Sequence, residues 1–83
     1  MDSDTKNGKK IIQSVQRAGE ILSLYIDNKN LGISDLARSL SLPKTTIQGL
    51  VTTLAQMNYL EKDPFTGKYR LGPRLFQLGM SYA

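Results

Sequence analysis

The chain has 83 residues, of which 40% are hydrophobic and 22% charged, and its formal net charge is +4. This length allows one small domain with a single core, and the composition is typical of a soluble globular chain rather than a disordered one. The sequence contains neither cysteine nor histidine, which excludes disulfides, thiolate metal sites and imidazole-based catalysis. The excess of Lys and Arg indicates an acidic partner without identifying it.

Residues 1–10 are polar, lack apolar periodicity and are predicted to form a flexible tail. They contain no apolar stretch typical of a signal peptide, and no later segment is apolar over the length needed to cross a bilayer. We therefore expect a cytoplasmic protein without a membrane partner.

A first helix is predicted from Ile11 to the polar stop at residues 27–30. Its apolar residues recur every three or four positions, as in a helix that buries one face. The stripe consists of Ile11, Val15, Ala18, Leu22 and Ile26, widened by Ile12, Ile21 and Tyr25.

Two more helices are predicted, separated by a short break. Ser34 is expected to cap the second helix, with Asp35 in its first turn, where the helix dipole favours a negative charge. This helix ends before Pro43, which suits the first turn of the next one. The third helix is predicted from about Pro43 to Met57, and its buried stripe consists of Ile47, Leu50, Val51 and Leu54.

Two helices joined by a three- or four-residue turn form a helix-turn-helix, whose second helix enters the major groove of DNA. The close crossing needs a small residue inside the first helix of this pair and an apolar residue in the turn. Ala37 and Leu42 are suitable. The side chains on the outer face of the second helix of the pair are short and polar, which allows contact with base edges and phosphates. This face consists of Lys44, Thr45, Gln48, Gly49 and Thr52.

The charge distribution agrees with a surface that faces phosphates. No carboxylate occurs between Asp35 and Glu61, whereas Arg38 and Lys44 lie within that interval. A phosphate-facing surface requires such a stretch. A helix pair that is simply polar and uncharged would show the same pattern.

A β-hairpin is predicted directly after the third helix. Residues 59–71 contain two short alternating runs on either side of Asp-Pro-Phe-Thr-Gly, a turn with proline early and glycine late. Because a lone hairpin is marginal in water, we expect it to pack on the helices with Leu31–Ile33 as a third strand. Its cations Lys62, Lys68 and Arg70 either contact phosphates or solubilise an exposed edge.

These elements predict a mainly α fold with a small β-hairpin, a winged helix-turn-helix with a three-helix core. The predicted function is binding to double-stranded DNA; the alternative is a protein–protein or dimerisation module, whose third helix would be apolar or acidic outside. Binding to RNA or single strands would need exposed aromatic side chains, and only Phe65 is expected to be exposed. The sequence contains no cysteine, no histidine and no glycine-rich phosphate loop. No catalytic residue, metal ligand or cofactor site is therefore predicted.

From about Ser14 onward, the chain resembles the N-terminal domain of the IclR (isocitrate lyase regulator) family of bacterial transcription factors. The matching stretches read SVQRA, EIL, SDLA, LPKTTI, NYL and DPFTGKYRLGPRL, in the order and spacing of the family. The resemblance implies a repressor or activator that binds a pseudo-palindromic operator as a dimer or tetramer. It also implies a C-terminal domain that binds a small-molecule effector.

The domain organisation expected from this resemblance is a winged helix-turn-helix over residues 11–72 and the start of an interdomain linker helix over residues 73–83. Leu75, Leu78 and Tyr82 lie on one face of that linker helix. Since the effector-binding domain is not in this sequence, we expect an isolated domain rather than a complete regulator.

By the same resemblance, the recognition helix begins at Pro43–Lys44 and the hairpin is the wing. Phosphate contacts are expected near the N-terminus of that helix and from the helix before it, base contacts from its outer face, and backbone or groove contacts from the wing. The candidate DNA-binding residues are Ser34, Arg38, Pro43, Lys44, Thr45, Thr46, Gln48, Gly49, Thr52, Lys68 and Arg70.

The chain departs from the family pattern at two places. Ser41 stands where family members usually have glycine, so a serine is expected in a left-handed conformation there. Gln48 and Gly49 stand where large polar residues are common. Gln48 keeps a group suited to adenine, whereas Gly49 has no side chain to reach a base.

Overall fold

The computed structural model describes residues 10–82, so that all of the predicted tail except Lys10 lies outside the described residues. The winged-helix architecture predicted from the sequence is confirmed. Within residues 10–82, no helix is both long and apolar enough to cross a membrane. The elements in chain order are α1 (Gln13–Ser23), continued by a 3₁₀ turn (Leu24–Ile26), α2 (Ile33–Leu40), α3 (Lys44–Gln56), β1 (Leu60–Lys62), β2 (Tyr69–Leu71) and α4 (Pro73–Met80).

The core lies between α1, α2 and α3 and is closed on one side by the hairpin. Burial of each large apolar side chain there contributes about 1.5–3 kcal/mol to folding. Leu50 and Leu42 pack against this core while remaining half-exposed. The buried residues are Ile21, Tyr25, Leu36, Ala37, Ile47, Val51, Leu54, Leu60 and Tyr69.

The predicted buried face of α1 is wrong in part. Ile21 and Tyr25, expected only to widen the stripe, are buried, whereas Ile11 and Val15 are 69% exposed and Ile26 is 82% exposed. The apolar residues of this segment cover more of the helix surface than the small core can contact. In addition, the 3₁₀ turn advances by about three residues per turn rather than 3.6, which changes the direction of Ile26.

The start of α2 also differs from the prediction, because the cap is Gly32 and Ser34 lies exposed within the first turn. Gly32 has no side chain to act as a cap. Its backbone N–H instead donates to Oδ2 of Asp35 at 2.8 Å, which is one half of a capping box. This hydrogen bond, reinforced by the positive charges of Lys68 and Arg38, holds the pKa of the Asp35 carboxyl below its ordinary value.

The turn between α2 and α3 depends on a left-handed residue. Ser41 has φ 55° and ψ 45°, which turns the chain so that the Leu42 N–H donates to the Ala37 carbonyl oxygen at 3.1 Å. The conformation expected where the family has glycine is therefore present with a serine. Pro43 is the N-cap of α3 and not its first helical residue, a small correction to the prediction.

The predicted hairpin is confirmed, and its strands pair antiparallel. The predicted third strand is reduced to one residue, Leu31, because the chain turns into α2 immediately afterwards. Leu31 donates to the Tyr69 carbonyl at 3.0 Å and accepts from the Tyr69 N–H at 2.9 Å. The Tyr25 hydroxyl donates to the same Leu31 carbonyl at 3.2 Å, which ties the end of α1 to this pair.

A close backbone approach fixes the start of α4. A Cβ at Gly72 would collide with the carbonyl group of Asn58, so only glycine fits there. The Gly72 N–H donates to the Tyr59 carbonyl at 2.8 Å, and the Arg74 N–H donates to the Asn58 carbonyl at 3.0 Å. The end of α3 and the start of α4 are thereby held together.

Helix α4 leaves most of its apolar side chains exposed. Of the predicted face, Leu75 is half-buried, while Leu78 and Tyr82 are 49% and 88% exposed. Phe76 is 71% exposed, so the expectation that Phe65 alone among the aromatic residues is exposed is wrong. The reason is that α4 packs on the domain only through its first turn.

Replacement of Ser41 by glycine is expected to stabilise the domain by about 1 kcal/mol, because glycine adopts the left-handed conformation without the steric cost of a Cβ. The unfolding midpoint should rise by roughly 4–8 °C for a domain of this size. Thermal unfolding followed by circular dichroism measures this change. Ser39→Gly is the matched control inside α2, where replacing serine by glycine should destabilise by about 0.5 kcal/mol; equal destabilisation by both variants would contradict the expectation.

Burial raises the pKa of Tyr25 to about 12, with smaller contributions from the charges of Asp35 and Tyr69. The unfolded chain ionises near pH 10, so the neutral phenol stabilises the folded state below pH 10, and this contribution is lost between pH 10 and 12. Denaturant unfolding from pH 9 to 12 should show wild type losing up to about 1.4 kcal/mol per pH unit between pH 10 and 12, relative to Tyr25→Phe. The exposed Tyr82→Phe should track wild type throughout, and parallel curves for wild type and Tyr25→Phe would refute the assignment.

Candidate nucleic-acid interface

The outer face of α3 is exposed along its first three turns and contains no carboxylate. This helix turns Ile47, Val51 and Leu54 into the core, which leaves the polar residues on the opposite side. The structure therefore brings together the predicted base-facing residues on one accessible surface. The exposed residues of this face are Lys44, Thr45, Gln48, Gly49 and Thr52.

The N-terminal turn of α3 offers hydrogen-bond donors to an anion. Pro43 provides no side-chain cap, and no acidic residue lies in the first turn. The amide groups of that turn and the positive end of the helix dipole are therefore available to a phosphate. Lys44 adds a positive charge at the same end, while Thr46 is half-buried beside it.

Gln48 and Thr52 form a hydrogen-bonded pair on the exposed face. The Gln48 amide Nε2 donates to the Thr52 hydroxyl at 3.2 Å, which orients the amide along the helix. Apart from its chain neighbours and the backbone of α3 itself, no atom of the described residues lies within 4 Å of the position that a Cβ of Gly49 would occupy, so the surface next to Gln48 is open. A base edge can therefore approach the backbone of α3 closely at this point.

Two cations lie against the start of α2, one from the helix and one from the wing. The Arg38 guanidinium donates to Asp35 Oδ1 at 3.1 Å, and Lys68 Nζ lies 3.7 Å from Asp35 Oδ2. The side chains of Arg38 and Lys68 remain 74% and 50% exposed. The exposed Ser34 lies in the same first turn of α2. The structure thus brings these three predicted phosphate contacts to one region.

Arg70 is placed differently from Lys68, the other wing residue predicted to bind DNA. It faces Glu61 as its cross-strand partner, and its Nε donates to Glu61 Oε1 at 3.2 Å. Its Nη1 also lies 3.9 Å from a carboxylate oxygen of Asp63. A bound phosphate would have to compete with these exposed ion pairs, each worth only about 0–1 kcal/mol.

The turn of the wing is ordered by its own side chains. Asp63 accepts a hydrogen bond from the Phe65 N–H at 2.8 Å, and this bond, with others from Thr66 and the charge of Arg70, lowers the pKa of its carboxyl. Gly67 has φ 76°, a conformation that favours glycine. This arrangement leaves Phe65 95% exposed at the tip of the wing.

Sequence reasoning missed Asp35 as a residue of this surface. It was expected only to favour the start of α2, whereas its carboxylate also contacts the wing. The local sequence around Asp35 indicates the helix start but not which distant cation will face it. That contact arises because the pairing of Leu31 with Tyr69 places the adjacent Lys68 over the start of α2.

Comparison with known proteins agrees with this geometry. The IclR helix-turn-helix domain matches residues 14–64, which is more than half of the chain. The glycerol operon regulatory protein of Streptomyces coelicolor is 43% identical over 86% of this chain and 28% of its own length. The HTH-type transcriptional regulator XynR of Escherichia coli is 41% identical over 83% of this chain and 28% of its own length.

Solved structures show the same fold. An IclR transcriptional regulator from Alicyclobacillus acidocaldarius superposes with a TM-score of 0.86 at 29% identity, over 89% of this chain and 30% of that one. An IclR family regulator from Brucella abortus has a TM-score of 0.81 at 28% identity, over 88% and 28% of the two chains. This chain spans less than a third of the length of these relatives. It belongs to the IclR family of transcription regulators, as a winged helix-turn-helix domain.

Proposed function

We propose that this domain reads the operator of a bacterial transcription regulator by sequence-specific binding to double-stranded DNA. The observation that carries this proposal is the outer face of α3, which is exposed, polar and free of carboxylates, with Lys44 at its N-terminal end. In this arrangement α3 lies in the major groove, and the wing contacts the adjacent backbone or minor groove. A protein-docking module would instead present an apolar or acidic outer face on α3.

The proposed contacts are of two kinds, contacts to phosphates and contacts to base edges. Lys44 and Thr46, with the amides that follow Pro43, hold a phosphate at the N-terminus of α3. Phosphate contacts from outside α3 come from Ser34 and Arg38 of α2 and from Lys68 and Arg70 of the wing. The residues proposed to face base edges are Thr45, Gln48, Gly49 and Thr52.

We propose that residues 11–72 form the DNA-binding unit and that residues 73–83 begin an interdomain linker helix. The exposed apolar side chains of α4 support this assignment, since Phe76 and Met80 are each 71% exposed and need a covering surface. A homodimer or tetramer would place two α3 helices about 34 Å apart, the spacing of successive major grooves on one side of DNA. The small-molecule effector would bind to a separate C-terminal domain.

The regulator is proposed to act in the cytoplasm, as a repressor or an activator, without catalysing a reaction. The relatives carry the names of regulators of transcription. A bacterial regulator contacts the chromosome directly, which supports the cytoplasm as its location. Selection of duplexes from a randomised pool by this domain, followed by fluorescence anisotropy of the selected duplex, tests the proposal. A selected sequence bound more tightly than the starting pool is the expected result, and enrichment of no sequence at low salt would contradict it.

Lys44→Ala should weaken binding to selected and random duplexes alike, because Lys44 is proposed to contact a phosphate rather than a base. The slope of log affinity against log salt should decrease in magnitude by about 0.9 for the one lost contact. Anisotropy titrations at four or five salt concentrations measure both quantities. Lys29→Ala, which removes the same charge from the turn after α1, should retain the wild-type slope, and an unchanged slope in Lys44→Ala would refute the docking of α3.

Gln48→Ala should change which sequences are selected while leaving the salt slope as in wild type. The loss of a bidentate contact to one base is worth about 1–3 kcal/mol of discrimination at that base pair. Affinities for duplexes with each of the four base pairs at each operator position measure this change. Gln56→Ala, at the C-terminal end of the same helix, is the matched control. If Gln48→Ala and wild type prefer the same bases with the same discrimination, Gln48 does not read the sequence.

A further inference from the structure

The Asp35 carboxylate contacts three groups and joins α2 to the wing. Its Oδ2 accepts a hydrogen bond from the Gly32 N–H at 2.8 Å and lies 3.7 Å from Nζ of Lys68. Its Oδ1 accepts a hydrogen bond from the Arg38 guanidinium at 3.1 Å. One side chain therefore contacts the start of α2, a cation of α2 and a cation of the wing.

Capping alone does not account for a charged residue at this position. An uncharged amide oxygen would accept the Gly32 N–H equally well in geometry. A carboxylate on a surface that faces phosphates also repels them, and this repulsion lowers affinity for DNA. The negative charge is favoured by the dipole of α2 in its first turn, and it also attracts the two neighbouring cations, which a neutral cap would not do.

The contacts of Asp35 indicate what that charge provides. Lys68 lies at the end of the wing turn, next to Tyr69, and its ammonium group is attached to four flexible methylenes. Attraction to Asp35 confines this group near Arg38. Both cations remain at least half exposed, and each keeps N–H donors that do not point to Asp35.

We propose that Asp35 is a positioning residue for DNA binding, which holds the ammonium group of the wing Lys68 and the guanidinium group of Arg38 together at the first turn of α2. Two cations share one carboxylate, so the group keeps a net positive charge and presents two sets of donors to the same stretch of phosphate backbone. The wing and the helix-turn-helix thereby meet the DNA as one surface. This inference rests on the proposed function, because it assigns a role within the same binding surface.

Asp35→Asn removes the negative charge and keeps the hydrogen-bond acceptor that caps α2. Asparagine retains an oxygen acceptor for the Gly32 N–H, but it no longer attracts Lys68 or Arg38. Although the net charge rises by one, affinity for the selected duplex should fall by about threefold to tenfold, and the salt slope should decrease in magnitude by about one. Glu20→Gln makes the same change in net charge on α1, and its affinity should equal or slightly exceed that of wild type.

A double-mutant cycle with Lys68→Met identifies the route of the effect. If Asp35 acts through Lys68, most of the loss caused by Asp35→Asn should disappear when Lys68 is already methionine. Thermal unfolding of each variant shows whether the fold is retained, and Lys68→Met alters only an exposed side chain of the wing.

Two outcomes overturn the inference. Asp35→Asn that binds as tightly as Glu20→Gln with an unchanged salt slope would show that the carboxylate only caps α2 and repels phosphate. A loss of the same size in both the wild-type and the Lys68→Met backgrounds would show that Asp35 does not act through Lys68. Failure of the proposed function is a separate result, since the wild-type domain would then select no duplex.

Discussion

The exchange of backbone hydrogen bonds between Leu31 and Tyr69 is the constraint on which the arrangement of the wing depends. Strands of three residues do not form a stable hairpin alone in water, so β1 and β2 need a partner on the domain. Leu31 supplies that partner at the point where the chain leaves α1 and enters α2. Because the Tyr25 hydroxyl binds the same Leu31 carbonyl, the end of α1, the start of α2 and the wing meet at one residue.

This junction determines where the charges of the wing lie. Pairing of Leu31 with Tyr69 places Lys68 over the first turn of α2, where Asp35 is already fixed by the Gly32 N–H. Arg70, next along β2, is aligned with Glu61 by the register of the hairpin. Among the described residues of this region, the carboxylates lie beside cations at the wing and at the start of α2. The outer face of α3 is left without negative charge, which is the condition that phosphate binding requires.

The second constraint is the angle between α2 and α3. Ala37 leaves room for the crossing, and the left-handed Ser41 reverses the chain within a few residues. Ile47 then enters the core, so that the polar side of α3 must face solvent. The exposure of Gln48 and its neighbours therefore follows from the burial of the opposite side, and this polar surface results from the same packing that stabilises the domain.

Much of this protein was determined by the sequence alone, because its signals are local. Apolar spacing predicted three helices, the Asp-Pro-Phe-Thr-Gly segment predicted the wing turn, and the departure from glycine predicted the left-handed Ser41. The exposed face of α3 was also predictable, since a helix with one apolar stripe must present its other residues to solvent. The helices and the turn need only the periodicity of a helix and the stereochemistry of a turn, whereas the expectation for Ser41 rests on the resemblance to the IclR family.

The tertiary structure decided what depends on residues distant in sequence. Seen alone, the segment from α1 to the 3₁₀ turn had more apolar residues than one face can bury, and only the assembled core selected Ile21 and Tyr25 for burial. The cap of α2 moved from Ser34 to Gly32 because Asp35 supplies the hydrogen bond from within the helix. The approach of Lys68 to Asp35 follows from β-pairing, which is not encoded by local spacing, and so the contact between the wing and α2 became visible only in three dimensions.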